Sequence, residues 1–182
     1  CVSMNYATIK NCDIANGPGV RVSLFVSGCT RHCKDCFNQE VWDFHYGEPF
    51  TKEVQDRIVS LLSPAYIKGL TILGGEPMEP QNQPGVLELV RRVRTELPEK
   101  TIWCYTGYVL EKDLLSGRLC DTETVTLPLL RSLDVLVDGP FVAGQKDLSL
   151  SFRGSRNQRL IDMPKTLEKG QVVLWHDWQK RN

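Results

Sequence analysis

Four short apolar or β-branched runs, each closed by a polar or glycine turn and spaced by helical patterns, constrain this fold most. Residues 20–27 (VRVSLFVS) alternate and lead straight into Gly28-Cys29. Residues 69–73 (GLTIL) end in Gly74-Gly75, Thr101–Tyr105 (TIWCY) in Thr106-Gly107, and 134–138 (DVLVD) in Gly139-Pro140. The intervening stretches carry the helical period. Residues 51–62 open on a Thr cap and space Val54, Ile58, Leu61 and Leu62 along one side. Residues 85–97 set Leu87, Leu89, Val90 and Val93 against Arg91, Arg92 and Arg94. Helical pattern returns near 110–115 and 124–133, and 172–175 is a candidate last strand. Strands alternating with helices predict βα units on a largely parallel sheet. The strand-ending turns then share one carboxyl rim, where such sheets bind ligands.

The 182 residues suffice for one domain with a substantial core, expected to occupy 1–182, with 1–3 as an extension and 159–182 as a C-terminal tail. Lys plus Arg and Asp plus Glu number 22 each, so no whole-chain field favours nucleic acid or an anionic membrane. The apolar runs are too short to span a bilayer, and Cys1-Val-Ser-Met-Asn-Tyr has no secretory pattern. The expected setting is cytoplasmic, with no membrane or nucleic-acid partner. Seven cysteines in a reducing compartment point to metal binding or chemistry rather than cross-linking.

Three of those cysteines fall within eight residues, Cys29-Thr-Arg-His-Cys33-Lys-Asp-Cys36, in the loop after the first strand. Three thiolates suit a [4Fe-4S] cluster with one iron left open to an exogenous ligand. They also suit zinc, with His45 as fourth ligand; His32 adjoins Cys33 and reaches the same tetrahedral ion with difficulty. Spacing alone leaves both open. Cys104 lies mid-strand and reads as a small buried hydrophobe, while Cys12 and Cys120 have no assigned role.

The cysteine motif, followed two elements later by Gly74-Gly75-Glu76-Pro77, resembles the radical S-adenosylmethionine superfamily. Asn16-Gly-Pro-Gly-Val-Arg21 narrows the resemblance to activases of glycyl-radical enzymes. Met4-Asn-Tyr, Phe25-Val-Ser-Gly-Cys29, Tyr105-Thr-Gly-Tyr108, Val137-Asp-Gly139 and Arg153-Gly-Ser-x-Asn-Gln158 narrow it to activating proteins of anaerobic ribonucleoside-triphosphate reductase. The matches run from Met4 to Gln158. Two departures stand out. Asp35 precedes the third cysteine where many superfamily members have an aromatic, and the aromatic here is Phe37. Pro140 stands where this family often has Lys after Asp-Gly, which leaves Arg21 and Arg153 as candidate cations for a cofactor carboxylate.

The resemblance implies an α/β partial, open βα barrel of about five to six mostly parallel strands with outer helices. A closed eight-stranded barrel typically needs roughly 250 residues. It implies one [4Fe-4S] cluster on Cys29, Cys33 and Cys36, with S-adenosyl-L-methionine on the open iron. Gly74, Gly75 and Glu76 are then expected at the methionine ammonium, with Glu76 either accepting from it or fixing the loop. Asp35, Cys36 and Phe37 are expected at the adenine, and Thr106 and Asp138 at ribose, carboxylate or a bound cation. The implied partners are the reductase large subunit and a flavodoxin- or ferredoxin-like electron donor. Related alternatives are a pyruvate formate-lyase-type activase and a small-molecule enzyme such as 7-carboxy-7-deazaguanine synthase. A zinc-binding interaction module is the alternative outside the superfamily. As an ordinary turn, Asn16-Gly17-Pro18-Gly19 demands positive φ.

Overall fold

In a computed structural model, which describes residues 4–30 and 43–176, alternation in the strands sorts their side chains onto two faces of one sheet. Val22, Leu24 and Val26 of β2 (Val20–Val26), Leu70 and Ile72 of β4 (Ile67–Gly74) and Ile102 and Cys104 of β5 (Thr101–Tyr105) join one large core. Leu136 of β6 (Val135–Asp138) extends that core. Helices α1 (Lys52–Leu62), α2 (Gln83–Glu96) and α3 (Leu127–Arg131) add Ile58, Leu62, Val86, Leu89, Val90, Val93, Leu129 and Leu130 to it. Removing each such side chain from water contributes about 1.5–3 kcal/mol, so the helix-facing core dominates the fold. The odd-numbered partners Trp103, Val135 and Val137 form a smaller cluster on the other face, with Phe152 and Trp175 packed on it.

With β1 (Asn5–Asp13), β3 (Glu48–Pro49) and β7 (Arg159–Asp162), the sheet among the described residues has seven strands in the order β3-β1-β2-β4-β5-β6-β7. β2, β4, β5 and β6 are parallel neighbours, which bears out the βα reading. Three antiparallel strands extend it, so the strand count exceeds the expected five or six. β1 pairs with β2, and the two-residue β3 pairs with β1. β1 evades the pattern because most of its side chains are not buried, so no clean alternation marks it. β7 lies antiparallel to β6. Residues 159 onward therefore include a sheet strand rather than beginning a tail outside the fold, and α4 (Met163–Lys169) follows it. The segment 172–175 makes one bridge, Ile161 to Leu174, and no full strand.

The remaining local expectations land within a residue or two. Thr51 caps α1, its hydroxyl accepting from Val54 N. The 110–115 pattern is a single wide turn (Leu110–Leu114), and 124–133 splits into a second wide turn (Thr122–Thr126) and α3. Gly17 and Gly19 take φ of +124° and +74°, as the turn at 16–19 requires.

A candidate active site on the carboxyl rim

The parallel register ends Val26 opposite Gly74, so the loop leaving β2 and the turn leaving β4 start side by side. Two backbone bonds then join them: Gly75 N donates to Val26 O at 2.9 Å and Glu76 N to Gly28 O at 2.7 Å. Gly74 must be glycine for this approach. Its φ is +115°, and a Cβ there would lie 2.6 Å from both the N and the O of Val26. Cys29, the first of the three clustered cysteines, is buried one residue beyond this joint. Cys33, Cys36, Asp35 and Phe37 lie outside the described residues.

Glu76 is 1% exposed and both of its carboxyl oxygens are taken by protein donors. Its Oε1 accepts from Gly107 N at 2.6 Å, and its Oε2 from Thr106 Oγ1 at 2.7 Å and Met78 N at 2.9 Å. Burial raises the carboxyl to about 7 against the pull of those three donors. Of the two roles open to Glu76, these bonds account for fixing the loop: it braces the β4 exit to the β5 exit. Thr106, also buried, spends its hydroxyl donor on that brace and accepts from Tyr108 N. Asp138 sits at the β6 exit, 1% exposed, and accepts from Leu110 N. Arg159 of β7 grips both its oxygens, at 3.0 and 2.5 Å, and reaches Glu111 as well. The four exits thus do share one rim, with Thr106 and Asp138 already engaged by protein groups.

Residues 15–161 match the family described as a 4Fe-4S single cluster domain. The chain is 46% identical over 157 residues to the anaerobic ribonucleoside-triphosphate reductase-activating protein of Vibrio cholerae, covering 85% of this chain and 96% of the relative. The chain belongs to the anaerobic ribonucleoside-triphosphate reductase-activating protein family. Its likeness to the Escherichia coli K12 member is 43%, with the same coverage, and to the phage T4 member 41%, over 86% of this chain and 93% of the relative. A cluster fits the donors that this chain presents. Cys29 is buried at a strand end whose loop backbone is already pinned, and in the sequence two further cysteines, Cys33 and Cys36, follow within seven residues. His45, the fourth ligand of the zinc alternative, is exposed and lies 3.4 Å from Asp43.

Two of the residues that hold the rim together in this family member escaped the sequence reading. Asn82 is fully buried and donates through Nδ2 to Ser27 O at 3.0 Å and Glu76 O at 2.9 Å, which ties the same two exits a second time. Glu79 accepts from Thr30 N, Thr30 Oγ1 and Tyr108 Oη. Their one signal was the Glu76, Glu79, Asn82 spacing at the approach to α2, a polar stripe on a segment that had to be buried.

The structure corrects one of the two candidate cations, Arg21. Arg21 is fully buried at the opposite, amino end of the strands, donating to Pro18 O, Leu70 O, Thr71 Oγ1 and both oxygens of Thr101. Arg153 donates to Gln158 O, in the connection that leaves β6 on the rim side, and its Nε is buried without a partner among the described residues, so nothing in its contacts contradicts the expectation. The guanidinium that the fold brings to a rim carboxylate belongs to Arg159. Cys104 is the buried hydrophobe expected of it, with burial pushing its thiol well above the ordinary range.

Proposed function

We propose that this chain reductively cleaves S-adenosylmethionine and uses the 5′-deoxyadenosyl radical to take a hydrogen atom from a glycine Cα of anaerobic ribonucleoside-triphosphate reductase. The observation that carries this reading is the double backbone bond joining the Cys29 loop to the Gly74-Gly75-Glu76-Pro77 turn, in a chain whose relatives are named as that reductase's activating proteins. Cys29, Cys33 and Cys36 would hold one [4Fe-4S] cluster, which when bound supplies the electron for the cleavage. The protein's own contribution is placement. Gly74 and Gly75 expose backbone carbonyls to the methionine ammonium, and the Glu76–Thr106–Gly107 brace keeps that turn from relaxing. Asp35, Cys36 and Phe37 form the adenine side. Holding the sulfonium beside its reductant makes electron transfer effectively intramolecular. A partial-barrel curvature of the sheet would leave one side open to the reductase glycine. A flavodoxin- or ferredoxin-like protein serves as electron donor. No helix among the described residues is long and apolar enough to cross a membrane, and we place the chemistry in the reducing cytoplasm.

Anaerobic reconstitution with iron and sulfide tests this directly. The expected outcome is about four irons per chain, 5′-deoxyadenosine after dithionite, and a glycyl-radical signal in added reductase. Cys29→Ala should abolish all three, while Cys104→Ala retains them. A colourless protein holding stoichiometric zinc would refute the proposal.

A further inference from the structure

Cys29 is bracketed residue by residue. On its amino side, Gly28 O is held by Glu76 N. On its carboxyl side, Thr30 is held twice by one atom: Thr30 N and Thr30 Oγ1 donate to Glu79 Oε1 at 3.0 and 2.7 Å. The same oxygen takes the Tyr108 hydroxyl at 2.9 Å. Tyr108 in turn donates its backbone N–H to Thr106 Oγ1, which donates to Glu76. The bonds close a ring through Gly28, Cys29, Thr30, Glu79, Tyr108, Thr106 and Glu76. Glu79 and Tyr108 are 3% and 5% exposed, so water does not compete for these contacts.

We propose that Glu79 is a positioning residue for the cluster loop: its Oε1 fixes Thr30 and so holds Cys29 where a cluster can be captured and kept. The physical reason is entropic. A loop that must order around a metal centre loses backbone freedom on binding, and a residue already pinned on both sides loses less. A carboxyl oxygen suits the task because one oxygen can gather several donors at once, which no hydroxyl at this place could do. The proposal rests on the reading that Cys29 ligates a cluster, and its test separates the two.

Glu79→Ala, Glu79→Gln and Thr30→Val are compared with the wild-type chain after reconstitution. Three quantities are read: thermal unfolding, Thr30 amide exchange, and the rate of iron loss to a chelator. Glu79→Ala should unfold cooperatively, yet exchange Thr30 and lose iron at least about tenfold faster, since three hydrogen bonds go, two to the loop and one to Tyr108. Thr30→Val, which loses the hydroxyl's bond to Glu79 and its longer 3.4 Å contact with the Tyr108 hydroxyl but keeps the backbone bond, should fall between, at about fivefold. Glu79→Gln retains an acceptor oxygen and should stay within about threefold of wild type. A folded Glu79→Ala that holds iron as wild type does overturns the proposal, whatever its Thr30 exchange. So does a Gln variant indistinguishable from the Ala variant, since the acceptor would then not be the operative group. If Glu79→Ala fails to fold, Thr30→Val decides, and wild-type iron retention in it overturns the proposal. A wild-type chain that binds no cluster defeats the functional reading itself, a distinct result.

Discussion

Replacing Arg21 by Met should cost stability and leave cofactor binding untouched. Arg21 has no exposed surface and makes five hydrogen bonds, four of them at 3.0 Å or less, with its guanidinium 5.8 Å from the Trp103 ring centroid. Burial lowers its pKa to about 10, with Asp134, Tyr105 and Asp13 opposing. Met preserves the aliphatic stem and avoids burying a charge. The Thr71 and Thr101 hydroxyls each donate elsewhere and tolerate the loss. Three carbonyls, of Pro18, Leu70 and Thr101, lose a donor. At about 1 kcal/mol each, the low end for carbonyls that have a second lone pair, the cost is about 3 kcal/mol. For a chain of this length that is a fall in Tm of roughly 6–12 °C. Calorimetry measures it, and equilibrium binding of S-adenosylmethionine to the reconstituted variant below its Tm tests the second half. A melt within about 2 °C of wild type would refute the energetic argument. Weakened cofactor binding at an unchanged Tm would refute the placement of Arg21 away from the rim.

Three further outcomes follow from the same contacts. In Asp13, burial opposes ionisation, but donors from Ser23, Ala15 and Asn16 outweigh it and hold the carboxyl below its ordinary 3.8. Its contribution is therefore present above pH 3.8 and lost as pH falls below it. Asp13→Asn should cost about 1–3 kcal/mol at neutral pH, and denaturant titrations should show that gap closing in acid. Glu76 has the opposite sign: its folded carboxyl titrates near 7 against an ordinary 4.5, so stability declines as pH rises through that window. Glu76→Gln should flatten the decline in the same titrations. Arg159→Met strands the buried Asp138 carboxylate, and since Arg159 itself is 30% exposed we expect about 2 kcal/mol rather than the full cost of a broken buried pair. Calorimetry checks the loss, and Asp138→Asn added to it should restore part of the stability.

The parallel core was legible because each of its strands carries a periodic signal that local physics enforces. Leu24, Leu70, Ile72, Ile102 and Leu136 had to face one core, and Gly74 had to be glycine. Legible too was the common rim, since parallel strands must end on the same side. The edges were not. β1 and β7 are held by neighbours rather than by their own alternation, and Arg159 enters the site only because β7 folds back beside β6. Nor does any sequence spacing say which way a buried polar side chain turns. Arg21, close to the cysteines in sequence, is bonded to the far end of the sheet. Glu79 and Asn82, which no sequence motif marks, close the loop that carries Cys29. The order of residues was enough to point to the family, through three cysteines and a glycine turn placed after strands. Tertiary structure alone decided which side chains hold those turns together, because a buried donor must find its acceptor across the fold, and that partner lies dozens of residues away.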